Sequence, residues 1–423
     1  MAVDAGVEKS QFWWKTAGYI AWFTADTAAA AGLSLRVLAI SLIGYAVSGS
    51  TLAAGWLGTA SMIAQQVLSA FGGTFVDRHD RKLLIIINAI VGLLAWSSVA
   101  LLIVLNDLSF PVLLVIAVVT SAINGFLSSA TEAMLKSIID IRNYPKARSL
   151  NEGRDATIAM AGSPIGGFLY SLYPWLPFVV SACLYAISGV AATTIHTAAS
   201  RSQENIEQVD RQNRSSFMQD FVAGWAWSLH KRRLVIILAV AALINFGVNG
   251  VQYAIQLQLV SGNTHATLIG LISAGISLAM LVGSVIAGKL SDKIPVGTTV
   301  CIAFLFICVC VVPMVFTDTY WIVLLSNSLM GIPFPIINAM LLGFVFAKAP
   351  VNMQGRIATT LTVPAQALSS CCSAVAGALL PLLGFQQTVL LFLLVLIASC
   401  VLVVCSPSIR SIPSSKAWAQ TTL

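Results

Sequence analysis

Apolar runs recur along the whole chain, separated by short polar or charged turns. A helical membrane span needs about 20 mainly apolar residues. Twelve runs near that length are read at 16–46, 51–74, 82–105, 110–135, 150–172, 175–198, 234–260, 265–290, 297–317, 319–346, 356–383 and 386–406. Hydrophobicity within each run is continuous, whereas a membrane β-strand alternates, so a β-barrel is excluded. The pattern predicts an all-α polytopic membrane protein with twelve transmembrane helices.

Composition agrees with the pattern. Apolar residues make up 58% of the 423 and charged residues 9%, with a mean hydropathy of +0.89; soluble domains sit near ~45–50% and ~25%. Asp4 and Glu8 precede a long first span where a signal peptide would carry a short apolar core, so the span is expected to stay uncleaved. Charge placement sets the orientation. With the N-terminus inside, every one of the 23 Lys and Arg except Arg36 falls in a cytoplasmic segment, Arg154 counted among them. That asymmetry predicts a multi-pass protein with both termini in the cytoplasm; the expected location, an inner or plasma membrane, is taken as the bacterial inner membrane. The net charge of +7 then reflects topology, and no nucleic-acid partner is expected.

The longest hydrophilic stretch divides six spans from six. It predicts an N-terminal six-helix bundle over 1–198, a cytoplasmic linker over 199–233, a C-terminal bundle over 234–406 and a cytoplasmic tail over 407–423. Within the linker, Phe217, Phe221, Trp225 and Leu229 recur every four residues, which predicts an amphipathic helix lying at the inner interface. The halves echo each other. Gly73 and Asp77 after the second span return as Gly288 and Asp292 after the eighth, both 215 residues later, the register left by internal duplication. "GSVIAGKL" at 283–290 nearly spells a phosphate-binding loop, but Leu290 replaces the required hydroxyl and the glycines lie inside a span. With no other such motif, energy must come from an ion gradient or from the gradient of the substrate. The eight cysteines all lie in spans, without C-x-x-C spacing or a neighbouring His, and read as small core residues; no metal or other cofactor is expected.

Candidate chemistry lies in the polar residues inside the spans. "NFGVNGVQYAIQ" places Asn245, Asn249, Gln252 and Gln256 four, three and four apart, on one helical face. Span 4 carries Ser121, Asn124, Ser128 and Glu132 on one face. Span 10 carries Asn327 and Asn338, nearly eclipsed, with Pro333 and Pro335 breaking the helix between them. Such stripes line a water-filled pathway or hydrogen-bond neighbouring helices. Charges inside a span cost at least ~2.5–3.5 kcal/mol, so Asp26 and Arg36 of span 1 are functional candidates by default. Ten residues put them roughly 15 Å apart along the axis, too far to pair, so each needs its own partner. Asp26 is the candidate proton carrier. Arg36 suits an anionic substrate, or an acid when the outer side closes. Glu132 is either a second proton site or a gate partner for loop arginines.

"GGTFVDRHDRKLLI" at 72–85 resembles the signature between spans 2 and 3 of the major facilitator superfamily. Gly73, Asp77, Arg78, Arg81 and Lys82 match, and Asp80 stands where Gly is usual. Residues 133–169, "FMQDFVAGWAWSLHKRRL" at 217–234 and "NMQGRIATTLT" at 352–362 resemble the macrolide-efflux and enterobactin-exporter branch. Gly153, Gly162, Pro164 and Gly167 resemble a degenerate antiporter motif, with Ser163 and Phe168 where Gly is usual. The resemblance implies two pseudo-symmetric six-helix bundles, a central cavity lined by spans 1, 4, 7 and 10, and gating by Gly73, Asp77, Arg78, Arg81, Lys82 and Asp292. The polar residues pick out the same four spans. Unlike many proton-coupled drug exporters, the chain has no arginine in span 4. The expected activity is export of amphiphilic drugs, or of a secondary metabolite such as a siderophore, by proton antiport. Import of a small polar solute is the alternative. The expected partners are the substrate, protons and the lipid bilayer, with a monomer as the functional unit. An enzyme is not expected, because no nucleophile–base constellation appears.

Overall fold

The computed structural model describes residues 18–76, 79–139, 144–195, 232–290, 294–342, 344–345 and 366–414. The first half consists of α1 (Tyr19–Ser48), α2 (Thr51–Val76), α3 (Arg81–Val104), α4 (Phe110–Ile138), α5 (Tyr144–Leu172) and α6 (Leu176–Thr193). The second half has α7 (Arg232–Ser261), α8 (Ala266–Leu290), α9 (Val296–Phe316), α10 (Tyr320–Met330) and α11 (Cys372–Cys405). These bounds follow the spans read from the sequence to within a few residues wherever both ends are described. The linker and its interfacial helix, Asp77, Arg78, Asp292, the start of span 11 and the tail beyond 414 lie outside the described residues.

Local chemistry explains the interruptions. α10 stops at Met330, restarts as the short helix Pro333–Ile337 and loosens into a π-helical turn over Asn338–Leu342. The prolines remove backbone donors where the sequence predicts a break. α11 is two spans joined by a single non-helical residue, Gly384, at φ 78°, a conformation that favours glycine. Asp80 accepts from the Lys82 backbone N–H at 2.9 Å and caps α3. An aspartate in the place of the usual glycine thus serves as an N-cap.

Among the described residues, nine helical stretches are long and apolar enough to cross a membrane, the last of them the two-span Gln366–Cys405. α2 and α5 complete twelve passes, and α5 carries Glu152, Arg154 and Asp155. Large apolar side chains face outward as well as inward, with Phe316 and Leu382 each 77% exposed. Helices apolar all round belong in lipid.

α2 packs on α4, and α1 and α3 on α6 in the first half; α7 and α9 pack on α11 in the second. Two seams join the halves, α5 with α8 and α2 with α11. Among the described residues, both have close backbone approaches toward the end of the bundle opposite Arg81 and Lys82. A Cβ on Gly55 would stand 2.3 Å from the Ser373 carbonyl oxygen, and one on Gly270 would stand 2.5 Å from that of Ser163. Thr51 donates to the Gly377 carbonyl at 3.1 Å, and Thr59 accepts from the Ala374 backbone N–H at 3.0 Å. The halves are therefore locked backbone to backbone at this far end.

Candidate functional site

Between the halves lies a cavity of about 310 Å³, within the range of small-molecule sites. α7 contributes Asn249, Gln252 and Gln256 to it, and α4 contributes Ser121. Val248, Val251 and Ile255, on the other side of α7, are all at most 2% exposed. Phe392 and Leu396 of the second arm of α11 seat against Gly250 and Gly247. One face of α7 thus packs on protein, and three of the four amides border the cavity; Asn245, expected with them, lines neither this cavity nor the second. Asn245 and Asn249 donate to the carbonyls of Ala241 and Asn245, both at 2.8 Å. These bonds use one N–H of each amide within the helix and leave the amide oxygens available. Gln65, Met62 and Tyr253, which the sequence reading did not single out, also line the cavity. Tyr253 donates to the Met62 sulfur at 3.1 Å across the half-interface.

Arg36 lines the same cavity yet is only 2% exposed. Its guanidinium lies 4.3 Å from the Trp96 ring centroid and 5.2 Å from that of Tyr185. It donates to the Tyr185 hydroxyl at 3.1 Å and the Ser181 hydroxyl at 3.3 Å. Those aromatic and hydroxyl partners come from α3 and α6, distant in sequence, which is why no local pattern pointed to them.

A second cavity, of about 220 Å³, lies within the first half and is bordered by Asp26, Ser128, Glu132, Asn151, Arg154 and Asp155. Here the structure corrects the charge count. Arg154 is a helical residue of α5, its side chain 10% exposed, and it bonds the Asp26 carboxylate directly. It also reaches Asp155 at 2.8 Å and Thr27 at 3.2 Å, and packs 5.1 Å from the Phe23 ring centroid. Arg36 is therefore not the only buried basic residue, and Asp26 has a cation partner. The signal was present in sequence: Arg154 falls inside the run read as span 5.

The remaining candidates are scattered. Asn124 and Ser128 bond backward to Thr120 and Gly125 carbonyls at 2.8 Å each. Asn327 is 1% exposed, donates to the Ile272 carbonyl at 3.3 Å and borders a small pocket with Gln252 and Gln256. Asn338 is exposed at the start of the π-helical turn and lines neither cavity, contrary to its placement beside Asn327. The intervening helix break undoes the eclipsed register. Of the gate residues, Arg81 donates to the Ala133 carbonyl at 3.1 Å, in the last turns of α4, and Lys82 to the Ile195 carbonyl at 2.9 Å, just beyond α6. Cations on the carbonyl ends of helices are favourably placed. Gly73 lies in the last turn of α2.

Comparisons with known proteins fit this architecture. Multidrug resistance protein 1 of Bacillus subtilis (strain 168) is 27% identical over 158 residues, 37% of this chain and 39% of that protein. Multidrug resistance protein 2 of the same organism is 24% identical over 252 residues, 59% of this chain and 60% of that protein. The chain thus matches between two fifths and three fifths of the length of these relatives. Among solved structures, the nucleoside transporter NupG superposes with a TM-score of 0.67 at 13% identity, covering 91% of this chain and 98% of that one. A bacterial homologue of the iron transporter ferroportin, in an inward-facing state, gives 0.69 at 13% identity, covering 93% and 99%. Identities that low show the fold alone. The family model described as Major Facilitator Superfamily matches residues 23–371, most of both halves and every residue bordering the two cavities except Trp22, and to that superfamily of membrane transporters the chain belongs.

Proposed function

We propose that the chain is a secondary active exporter of amphiphilic compounds, drugs or a secondary metabolite such as a siderophore, driven by inward movement of protons. The observation that carries this reading is the pairing of two cavities. One lies between the halves and is bordered by amides, aromatic rings and aliphatic side chains; the other holds a carboxylate paired with a buried arginine. Amides and flexible apolar side chains bind varied amphiphiles, and the names of the Bacillus relatives support drugs as the cargo. Asp26 is the proton carrier in this scheme. Protonation discharges its bond to Arg154, which loosens α1 from α5; α5 forms one of the two seams between the halves. Rocking about that seam exposes the central cavity to alternate sides. Glu132, exposed at the rim of the lower cavity, is the relay to solvent.

The remaining assignments follow from charge. Arg81 and Lys82 mark the cytoplasmic end of an inner-membrane protein whose termini, linker (199–233) and tail (407–423) face the cytoplasm. Asp77, Arg78 and Asp292 complete the inner gate with Gly73, and a single copy is the working unit.

Inverted membrane vesicles with an imposed pH gradient test the scheme, using macrolides, dyes and siderophores as cargo. Wild-type protein accumulates at least one of them, and collapsing the gradient stops accumulation. Asp26→Asn abolishes uphill accumulation while downhill exchange persists. Wild-type uphill rates in that variant would remove Asp26 from the mechanism.

A further inference from the structure

Two arginines are buried in the first half, and their surroundings differ in kind. Arg154 faces two carboxylates, those of Asp26 and Asp155. Arg36 faces none: among the described residues its partners are two hydroxyls and two aromatic rings, and its Nε has no partner. Ser181 donates its own proton to the Gly32 carbonyl at 2.8 Å, so it meets Arg36 purely as a neutral acceptor. A guanidinium stays charged under all ordinary conditions. Burying it costs several kcal/mol unless a counter-charge is present, and cation–π contacts offset only part of that. The other described residues lining the central cavity are neutral. The site therefore presents one fixed, uncompensated positive charge on the wall of a chamber otherwise made of amides, rings and aliphatic groups.

We propose that the central cavity selects amphiphilic organic anions, with Arg36 as the counter-charge for a carboxylate or comparable anionic group and the amide face of α7 holding the remainder. The ring contacts from Trp96 and Tyr185 and the two hydroxyl acceptors fix the guanidinium before cargo arrives, so little ordering is needed on binding. Asp26 cannot serve as the missing partner. It lies ten residues away on the same helix, roughly 15 Å along the axis, and is engaged by Arg154. This inference names the substrate class of the exporter proposed above and rests on its cavity, but it concerns equilibrium binding and is independent of transport direction and of proton coupling.

The test uses the full-length protein purified into nanodiscs, without any gradient, and three probes that share a 1-naphthylmethyl group: 1-naphthaleneacetate, its neutral amide and 1-naphthylmethylamine, a cation. Wild-type protein is expected to bind the anion at least about tenfold more tightly than the amide, as a charge-assisted hydrogen bond implies, and the cation most weakly. Arg36→Gln should remove the anion preference, bringing the anion and amide affinities to within about twofold of each other, while Arg36→Lys should retain part of it. Because Arg36 also ties α1 to α3 and α6, its variants are checked by thermal unfolding. Gln252→Glu, which leaves that clamp intact, should also abolish the preference by placing a carboxylate on the cavity wall. Equal affinity for all three probes, a preference for the cation, no binding of any probe, or an anion preference that survives both Arg36→Gln and Gln252→Glu would each overturn the proposal. Failure of uphill export alone, with charge selectivity intact, would overturn the coupling scheme and leave this inference standing.

Discussion

A buried charge is decided by its partner. Asp26 and Arg154 have side chains 22% and 10% exposed, and each limits the cost of burying the other. Arg154→Gln leaves the carboxylate without its cation and is expected to cost about 2–3 kcal/mol, below the ~3–5 of a fully enclosed pair because Asp26 keeps some solvent. Adding Asp26→Asn should recover part of that loss, since a neutral pair has no charge to strand. Thermal unfolding of the two single variants and the double variant in detergent checks this, and strictly additive losses would mean that the pair contributes nothing to stability. Asp26 was legible in sequence as a charge in a span. Its partner was harder to read, since the two lie 128 residues apart and Arg154 follows closely on Lys146 and Arg148 in the sequence.

On the scale of one helix, α7 was the most legible element. The four, three, four spacing of its amides puts them on one face, with Val248, Val251 and Ile255 pointing away from its centre, and those three are at most 2% exposed. Single cysteines at Asn249, Gln252 and Gln256 should therefore react with a small water-soluble thiol reagent far faster than cysteines at the three buried positions. Substrate should protect at least one of the two midplane positions, 249 or 252. The background must lack native thiols, above all the exposed Cys183, Cys371 and Cys405. Uniformly slow labelling at all six sites would make the stripe a dry helix contact. The other stripes were less readable, because periodicity assumes an unbroken helix. In α10 the break at Met330 and the π-helical turn from Asn338 rotate one asparagine away from the other.

For the whole molecule, the two seams decide which side of the cavity is closed. At the far end α2 and α11 meet at backbone distance, with no room for a Cβ on Gly55. Gly55→Leu should wedge this contact and shift the population toward states open at that end. In right-side-out cells, a membrane-impermeant thiol reagent should then label Gln252→Cys several-fold faster in the Gly55→Leu background than with glycine present. Equal rates would show that this seam is a fixed hinge and takes no part in gating.

The number, length and placement of the spans were readable from the sequence alone. In a bilayer each pass must satisfy its own backbone hydrogen bonds and remain apolar over its full length, and both demands are local. Helical periodicity carried the amide face of α7 for the same reason. Tertiary structure decided what periodicity cannot carry. It joined Asp26 to Arg154, left Arg36 among rings and hydroxyls with no acid against it among the described residues, and brought the halves together over glycines at one end. Those outcomes depend on contacts between residues far apart in the chain, and a charge or a small residue carries no mark of which distant helix it will meet.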